Sequence, residues 1–388
     1  MLPGSWAGMP PRPSGTRCVG STARPPRCCA ACCAPCPVPT WPRSGAEPMG
    51  HAQGESMVDR PLGEGDPVLL VGGTGLVGRA LCAELARQGL VPLVVSRRPP
   101  PTGLLPPRVR HFALPVEQLP AALAAGQLAP ATAPPAAPLG VVEILAGRAA
   151  GVRSLLRACR GRSGRFVGLS SAAVLGRAAP GKLHREEDPP LPATAAMRSK
   201  LSVEQLLAAA HARGSSTVAL RLAYPYGPGH GPLTPLGRDR ALFARLEQGE
   251  QLTWTLPGEL APLQPLWVED LAAAIVALLR RPGRPRPLYH VAGPQILSWD
   301  GYLAVLAGAV GARPPRLRAM PADELIAEGR VAGGPGSSGP GWHRWLAAYL
   351  RHAPLLDDGR LRREVFACTT PLAAAAPRWA GWCLSGAP

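Results

Sequence analysis

The stretch Val68-Leu69-Leu70-Val71-Gly72-Gly73-Thr74-Gly75-Leu76-Val77-Gly78-Arg79-Ala80-Leu81 constrains the fold more than any other part of the chain. Four apolar residues ending at a glycine read as a short buried strand, and Leu76, Ala80, Leu81, Leu85 and Ala86 share one face of a following helix. At the junction, Gly72, Gly75 and Gly78 are spaced G-x-x-G-x-x-G. The first permits a turn that a Cβ resists, the second lets backbone approach a pyrophosphate, and the third lets helix and strand pack closely. Phosphates placed there meet the N–H groups and positive end of the helix. A glycine triplet also suits a purely structural turn. Here, however, Gln88-Gly89 leads into a second strand, Val91–Val95, the context that dinucleotide binding requires. Gly72, Thr74, Gly75, Leu76, Val77 and Gly78 are therefore expected around a cofactor.

The second strand ends in Ser96-Arg97-Arg98. An acidic residue there would accept from the ribose 2′-OH of NAD, whereas guanidinium groups pair with a 2′-phosphate. NADP is the expected cofactor, with NAD as the alternative. Ordinary surface arginines are the competing explanation.

Arg108–Ala113 reads as a third strand. The Ala/Pro-rich sequence through Leu139 holds no convincing fourth. Val141 to Arg160 reads as a helix, with Val142, Leu145, Ala149, Val152, Leu155 and Leu156 on its apolar face. A strand around Phe166–Leu169 runs into Ser170-Ser171, an Ala-rich helix follows at 195–213, and Thr217–Leu222 is a further strand. Alternating strands and helices predict an α/β fold, a Rossmann-type doubly wound parallel sheet, with ligands at the carboxyl ends of its strands.

Taken in order, these segments resemble the extended short-chain dehydrogenase/reductase family, the NAD(P)-dependent epimerase/dehydratase type, over roughly residues 66–312. The glycine loop matches the family's cofactor loop, and Phe166 to Gly176 is similar to its strand ending in a catalytic serine. Ser199-Lys200-Leu201-Ser202-Val203-Glu204-Gln205 resembles the Y-x-x-S-K-x-x-x-E-Q helix. Leu220 to Gly229 resembles the R-P-x-x-x-Y-G-P-G turn, and Trp267 to Ala272 the V-x-D-[LV]-A segment. The resemblance implies a nucleotide sugar or another small carbonyl or hydroxyl compound as substrate. It also implies that Ser171 orients the substrate oxygen and that Lys200 holds the nicotinamide ribose.

The family's proton-transferring tyrosine stands one helical turn before the lysine. Here that position is Ala196. Losing a general acid/base costs about 10²–10⁴ in rate, so conventional turnover is expected to be weak or absent. Tyr224 and Tyr226 sit on another strand end and are poor replacements. Leu175 replaces a tyrosine that often lines the family's substrate site. The competing expectation is a non-catalytic NADP-binding or RNA-binding protein on the same fold, since some family relatives bind RNA.

Outside the matched region, residues 1–65 do not read as a domain. No acidic residue precedes Glu47, while five arginines do, so the tail resembles an organellar transit peptide. That would direct the protein to a plastid or mitochondrion. A start at Met49 or Met57 would leave it cytoplasmic. Six of the ten cysteines lie in this tail, but Cys29-x-x-Cys32 and Cys33-x-x-Cys36 lack the second ligand pair of a zinc finger, so no metal site is expected. The net charge of +17 comes mostly from scattered Arg, without a block of five or more, so nucleic acid is an electrostatically permitted partner without a motif. No apolar run reaches the ~18 residues that cross a bilayer. His184-Arg185-Glu186-Glu187-Asp188 reads as a solvated run, with a substrate-facing loop as the alternative.

The Rossmann domain is assigned to 66–222 and a smaller substrate-binding lobe to 223–330. Within that lobe, Leu242–Gln248, Leu271–Leu279 and Trp299–Val310 are expected as helices, the last capped by Ser298, and Pro287–Gly293 as a strand. Residues 331–388 form a Gly/Pro-rich linker and a helical extension that begins at Trp342.

Overall fold

The computed structural model describes residues 61–388 apart from 108, 129–138, 146–148, 161–162, 178, 180, 322–323, 326–348 and 388. The cysteine-rich tail, the linker and the start of the Trp342 helix lie outside the described residues.

The first half alternates as expected: β1 (Pro67–Val71), α1 (Leu76–Arg87), β2 (Val91–Ser96), β3 (Arg110–Ala113), α2 (Leu119–Ala124), β4 (Leu139–Glu143), α3 (Ala149–Ala158) and β5 (Ser163–Ser171). After the short β6 (Leu183–His184) come α4 (Ala195–Ala212), β7 (Thr217–Leu222) and β8 (Tyr224–Tyr226). Seven parallel strands form the central sheet in the order β13-β7-β5-β4-β1-β2-β3, where β13 is Leu288–Val291. The chain runs outward from β1 to β3 and then crosses back to β4. The resulting switch point lies at the carboxyl ends of β1 and β4, where open sheets bind ligands.

One sequence expectation fails here. Residues 141–143 are not helical: they belong to β4, which pairs with β1 and β5, and the helix starts only at Ala149. A strand covered on both faces is a continuous apolar run without alternation, and so short a run can be fitted equally well to a helical stripe. All five β4 residues are buried.

α6 (Val268–Arg280) packs with α1 on one face of the sheet, while α3 and α4 cover the other. Eight side chains of α6 are buried. Each fully buried aliphatic among them contributes about 1.5–3 kcal/mol, enough to hold the helix although no side chain caps its N-terminus.

A second apolar core gathers the aromatic residues Tyr226, Phe243, Trp254, Trp267, Trp299, Tyr302 and Trp379. It is built on α5 (Leu242–Glu247), α7 (Trp299–Ala309) and the C-terminal helix Leu372–Leu384. Ser298 caps α7 as expected, accepting from the Gly301 N–H. Small paired strands frame this core: β9 (Leu233–Thr234) with β10 (Gly237–Arg238), β11 (Leu252–Thr255) with β14 (Leu317–Met320), and β12 (Pro265–Trp267) with β8. Trp379, in a segment that carries no recognisable motif, packs tilted at 5.1 Å against Tyr226 and edge-on at 5.5 Å against Phe243. Its indole donates to the His230 carbonyl. The C-terminal helix therefore seats the turn that follows β8.

The run His184 to Asp188 is not a solvated face. His184 and Glu186 are buried, because β6 pairs with β15 (Leu355–Leu356) and Glu186 accepts from the His290 backbone N–H at 3.1 Å. Tertiary pairing turns alternate residues of a charged run inward, which its composition does not reveal.

Candidate functional site

The glycine loop turns tightly from β1 into α1. Gly72 has φ +90, a left-handed conformation that a side chain resists. A Cβ on Gly78 would lie 2.4 Å from the Gly73 backbone, so only glycine lets α1 pack against the turn. A Cβ on Gly75 would meet nothing within 4 Å and would project into open space. Gly75 is the N-cap of α1 without a side-chain cap, and the first turn carries no acidic residue. The N–H groups and dipole of that turn are thus left to an anion.

That space belongs to a cleft of about 670 Å³. Gly72, Thr74, Gly75, Leu76 and Val77 line one wall, Ser96, Arg97 and Arg98 the end of β2, and Ile144 and Leu145 the end of β4. Every predicted cofactor residue except Gly78 and Lys200 contributes to the lining. The opposite wall is Pro225, His230 and Arg238, which sequence reasoning did not single out. The lining holds three arginines and no carboxylate, so the cleft favours an anionic ligand.

Arg97 and Arg98 are exposed and make no ion pair among the described residues. Ser96 is committed inward: its hydroxyl donates to the Arg98 carbonyl at 2.7 Å and lies 2.7 Å from His111 Nε2. It shapes the turn that presents the two arginines. Across the cleft, Arg238 is fixed by donating to the Pro225 and Gly231 carbonyls and the Tyr224 hydroxyl. All three acceptors are neutral, so none of these bonds pairs the guanidinium with a carboxylate. His230 has its pKa lowered to about 4 by desolvation and by Arg238 and Arg79, and is neutral at pH 7.

Ser171 ends β5, and its Oγ accepts from the Ala173 N–H at 3.2 Å. Lys200 is half-buried on α4, and burial lowers its pKa against the opposing pull of Glu143 and Glu204. Neither residue lines the cleft. Ala196, one turn earlier, is exposed. Tyr226 is fully buried with its pKa raised by burial, and the Tyr224 pKa is raised for the same reason. Neither phenol replaces the missing one. Among the described residues, no group of three or more His, Cys, Asp or Glu is placed to hold a metal ion, and no helix is long and apolar enough to cross a membrane.

The model of the NAD dependent epimerase/dehydratase family matches residues 68–292. The chain belongs to this family. No curated protein matches it. Among solved structures, the fold is similar to a dTDP-glucose 4,6-dehydratase from Streptomyces venezuelae with NAD and TYD bound, with a TM-score of 0.62 at 18% identity, covering 82% of this chain and 97% of that one. It is also similar to the UDP-glucose 4-epimerase of Thermus thermophilus in complex with NAD (TM-score 0.59, 20% identity, 82% and 99% covered). The UDP-N-acetylglucosamine 4-epimerase of Bacillus cereus gives a TM-score of 0.59 at 17% identity, with 81% and 98% covered. At such identities the likeness is one of fold. The matched residues include the arginine pair after β2 and Ala196, one turn before Lys200.

Proposed function

We propose that this epimerase/dehydratase family member binds NADP(H) in the cleft between the glycine loop and Arg238, with NAD as the weaker alternative. The observation that carries the reading is the convergence of an open helix N-terminus with Arg97 and Arg98 in a cleft lined by no carboxylate. Two of the structural neighbours named above hold NAD. The exchange of an acidic residue for Ser-Arg-Arg after β2 is what favours the 2′-phosphate here.

In this reading the first turn of α1 and Gly75 hold the pyrophosphate, and Arg97 and Arg98 hold the 2′-phosphate. Lys200 donates to the nicotinamide ribose. When bound, the cofactor supplies hydride acceptance and return. Ser171 orients a hydroxyl or carbonyl of a nucleotide sugar or similar small substrate. A methyl group at 196 cannot shuttle the proton, so turnover is slow. A second reading, a cofactor-binding regulatory protein without turnover, is favoured by the same alanine.

Calorimetric titration of the full chain with NADPH and NADH tests the proposal. NADPH binding that weakens in Arg97→Ala supports it. Binding of neither dinucleotide overturns it and moves the search to partners.

A further inference from the structure

We propose that Glu143 is the buried counter-charge of Lys200 and fixes that ammonium in the layer between the sheet and α4, next to the strand end that lines the cleft. This inference rests on the cofactor reading above only for its consequence, and the pair itself can be tested separately.

Glu143 is the one ionisable residue of β4 and is 3% exposed. An isolated carboxylate at such a place is costly unless an opposite charge attends it. Its register partners are Val71 on β1 and Gly168 on β5. A Cβ built on Gly168 would point at Leu207 and Val203 of α4, so this row of the sheet faces α4. Side chains in register on neighbouring strands leave the same face. Glu143 therefore enters the layer beneath α4, beside Gly168, over which the Leu207 side chain packs.

α4 brings Lys200 and Glu204 to this layer one turn apart. Glu204 is already engaged: Arg221 donates to both of its oxygens and Ser170 to Oε1. Glu143 and Glu204 both oppose the effect of burial on the Lys200 ammonium, Glu143 the more strongly. α3, which also packs on α4, carries Arg153 and Arg157, both exposed. The two residues after Glu143, Ile144 and Leu145, line the cleft, so a pair held here sits at the cofactor's edge. With alanine at 196 there is no phenol for Lys200 to polarise. Glu143 thus makes Lys200 a fixed, protonated binding group.

The test is a double-mutant cycle in the full chain with Glu143→Gln, Lys200→Met and the double variant. In urea denaturation each single variant is expected to lower the midpoint, with the double variant less destabilised than the two losses added together. Strictly additive losses would overturn the pair whatever the cofactor does. Glu143→Asp, which keeps the charge, supplies the comparison if Glu143→Gln does not fold. The second readout is NADPH affinity, by fluorescence, between pH 7 and pH 10. Glu143→Gln should move the alkaline loss of binding downward by about one pH unit, so that affinity at pH 9 falls several-fold while affinity at pH 7 holds. An unchanged profile in a coupled pair would overturn the positioning role. A wild-type chain that binds no dinucleotide overturns the cofactor reading, and the denaturation cycle then decides the pair alone.

Discussion

The guanidinium of Arg221 and the carboxylate of Glu204 meet at 2.8 Å in the interior, 0% and 1% exposed. They tie α4 to β7, while Ser170 on β5 donates to the same carboxylate. The helix carrying Lys200 is thereby anchored to two strands directly below the site. Removing one partner strands the other charge, so Arg221→Met or Glu204→Leu should each cost about 3–5 kcal/mol. The double substitution should cost less than either single change. Urea denaturation of the four proteins checks this.

The glycines separate fold from ligand. Gly78→Ala forces a Cβ into the Gly73 backbone and should destabilise the chain by about 1–3 kcal/mol. Gly75→Val projects into the cleft, where nothing stands within 4 Å of the first added carbon. It should leave the melting temperature nearly unchanged yet reduce NADPH affinity at least about tenfold, since it occupies the pyrophosphate's place. Parallel thermal melts and calorimetry distinguish the two.

Arg97→Ala and Arg98→Ala should each weaken NADPH binding by about 1.5–3 kcal/mol, the worth of a hydrogen bond to a charged group, and leave NADH binding almost unchanged. Equal losses for both cofactors would assign the arginines to general electrostatics.

Ala196→Tyr restores a phenol one turn before Lys200. With NADP+ bound and a nucleotide-sugar substrate supplied, turnover should rise about 10²–10⁴-fold. Turnover equally fast before and after the change would place proton transfer on another group.

His290 is fully buried on β13, and burial with the nearby Arg221 pushes its pKa down to about 3. Its Nδ1 donates to the His184 carbonyl at 3.1 Å, so the folded ring is neutral. The unfolded ring takes up its proton near pH 6.5. Between about pH 6.5 and pH 3 the unfolded state therefore binds more protons, and stability falls as pH falls. At the acid end of that window the loss is about 4 kcal/mol. His290→Gln should flatten this slope in denaturation measured from pH 7 to pH 4.

The features legible in the chain alone are local. A glycine spacing, a serine–arginine end to β2, a Ser298 cap and the run of β7 depend on neighbours within a few residues, and each stands where its pattern predicts. Ala196 was also legible, because a helix fixes what lies one turn from Lys200. Tertiary structure decided the rest. Glu143 acquires meaning only when β4 lies between β1 and β5 beneath α4, since a run buried on both faces has no period to read. Arg238 and His230 join Arg97 in one cleft although more than 130 residues separate each from it, because parallel crossovers bring distant strand ends together. Trp379, motif-less in the chain, becomes the centre of the second core because the C-terminal helix returns to the turn after β8.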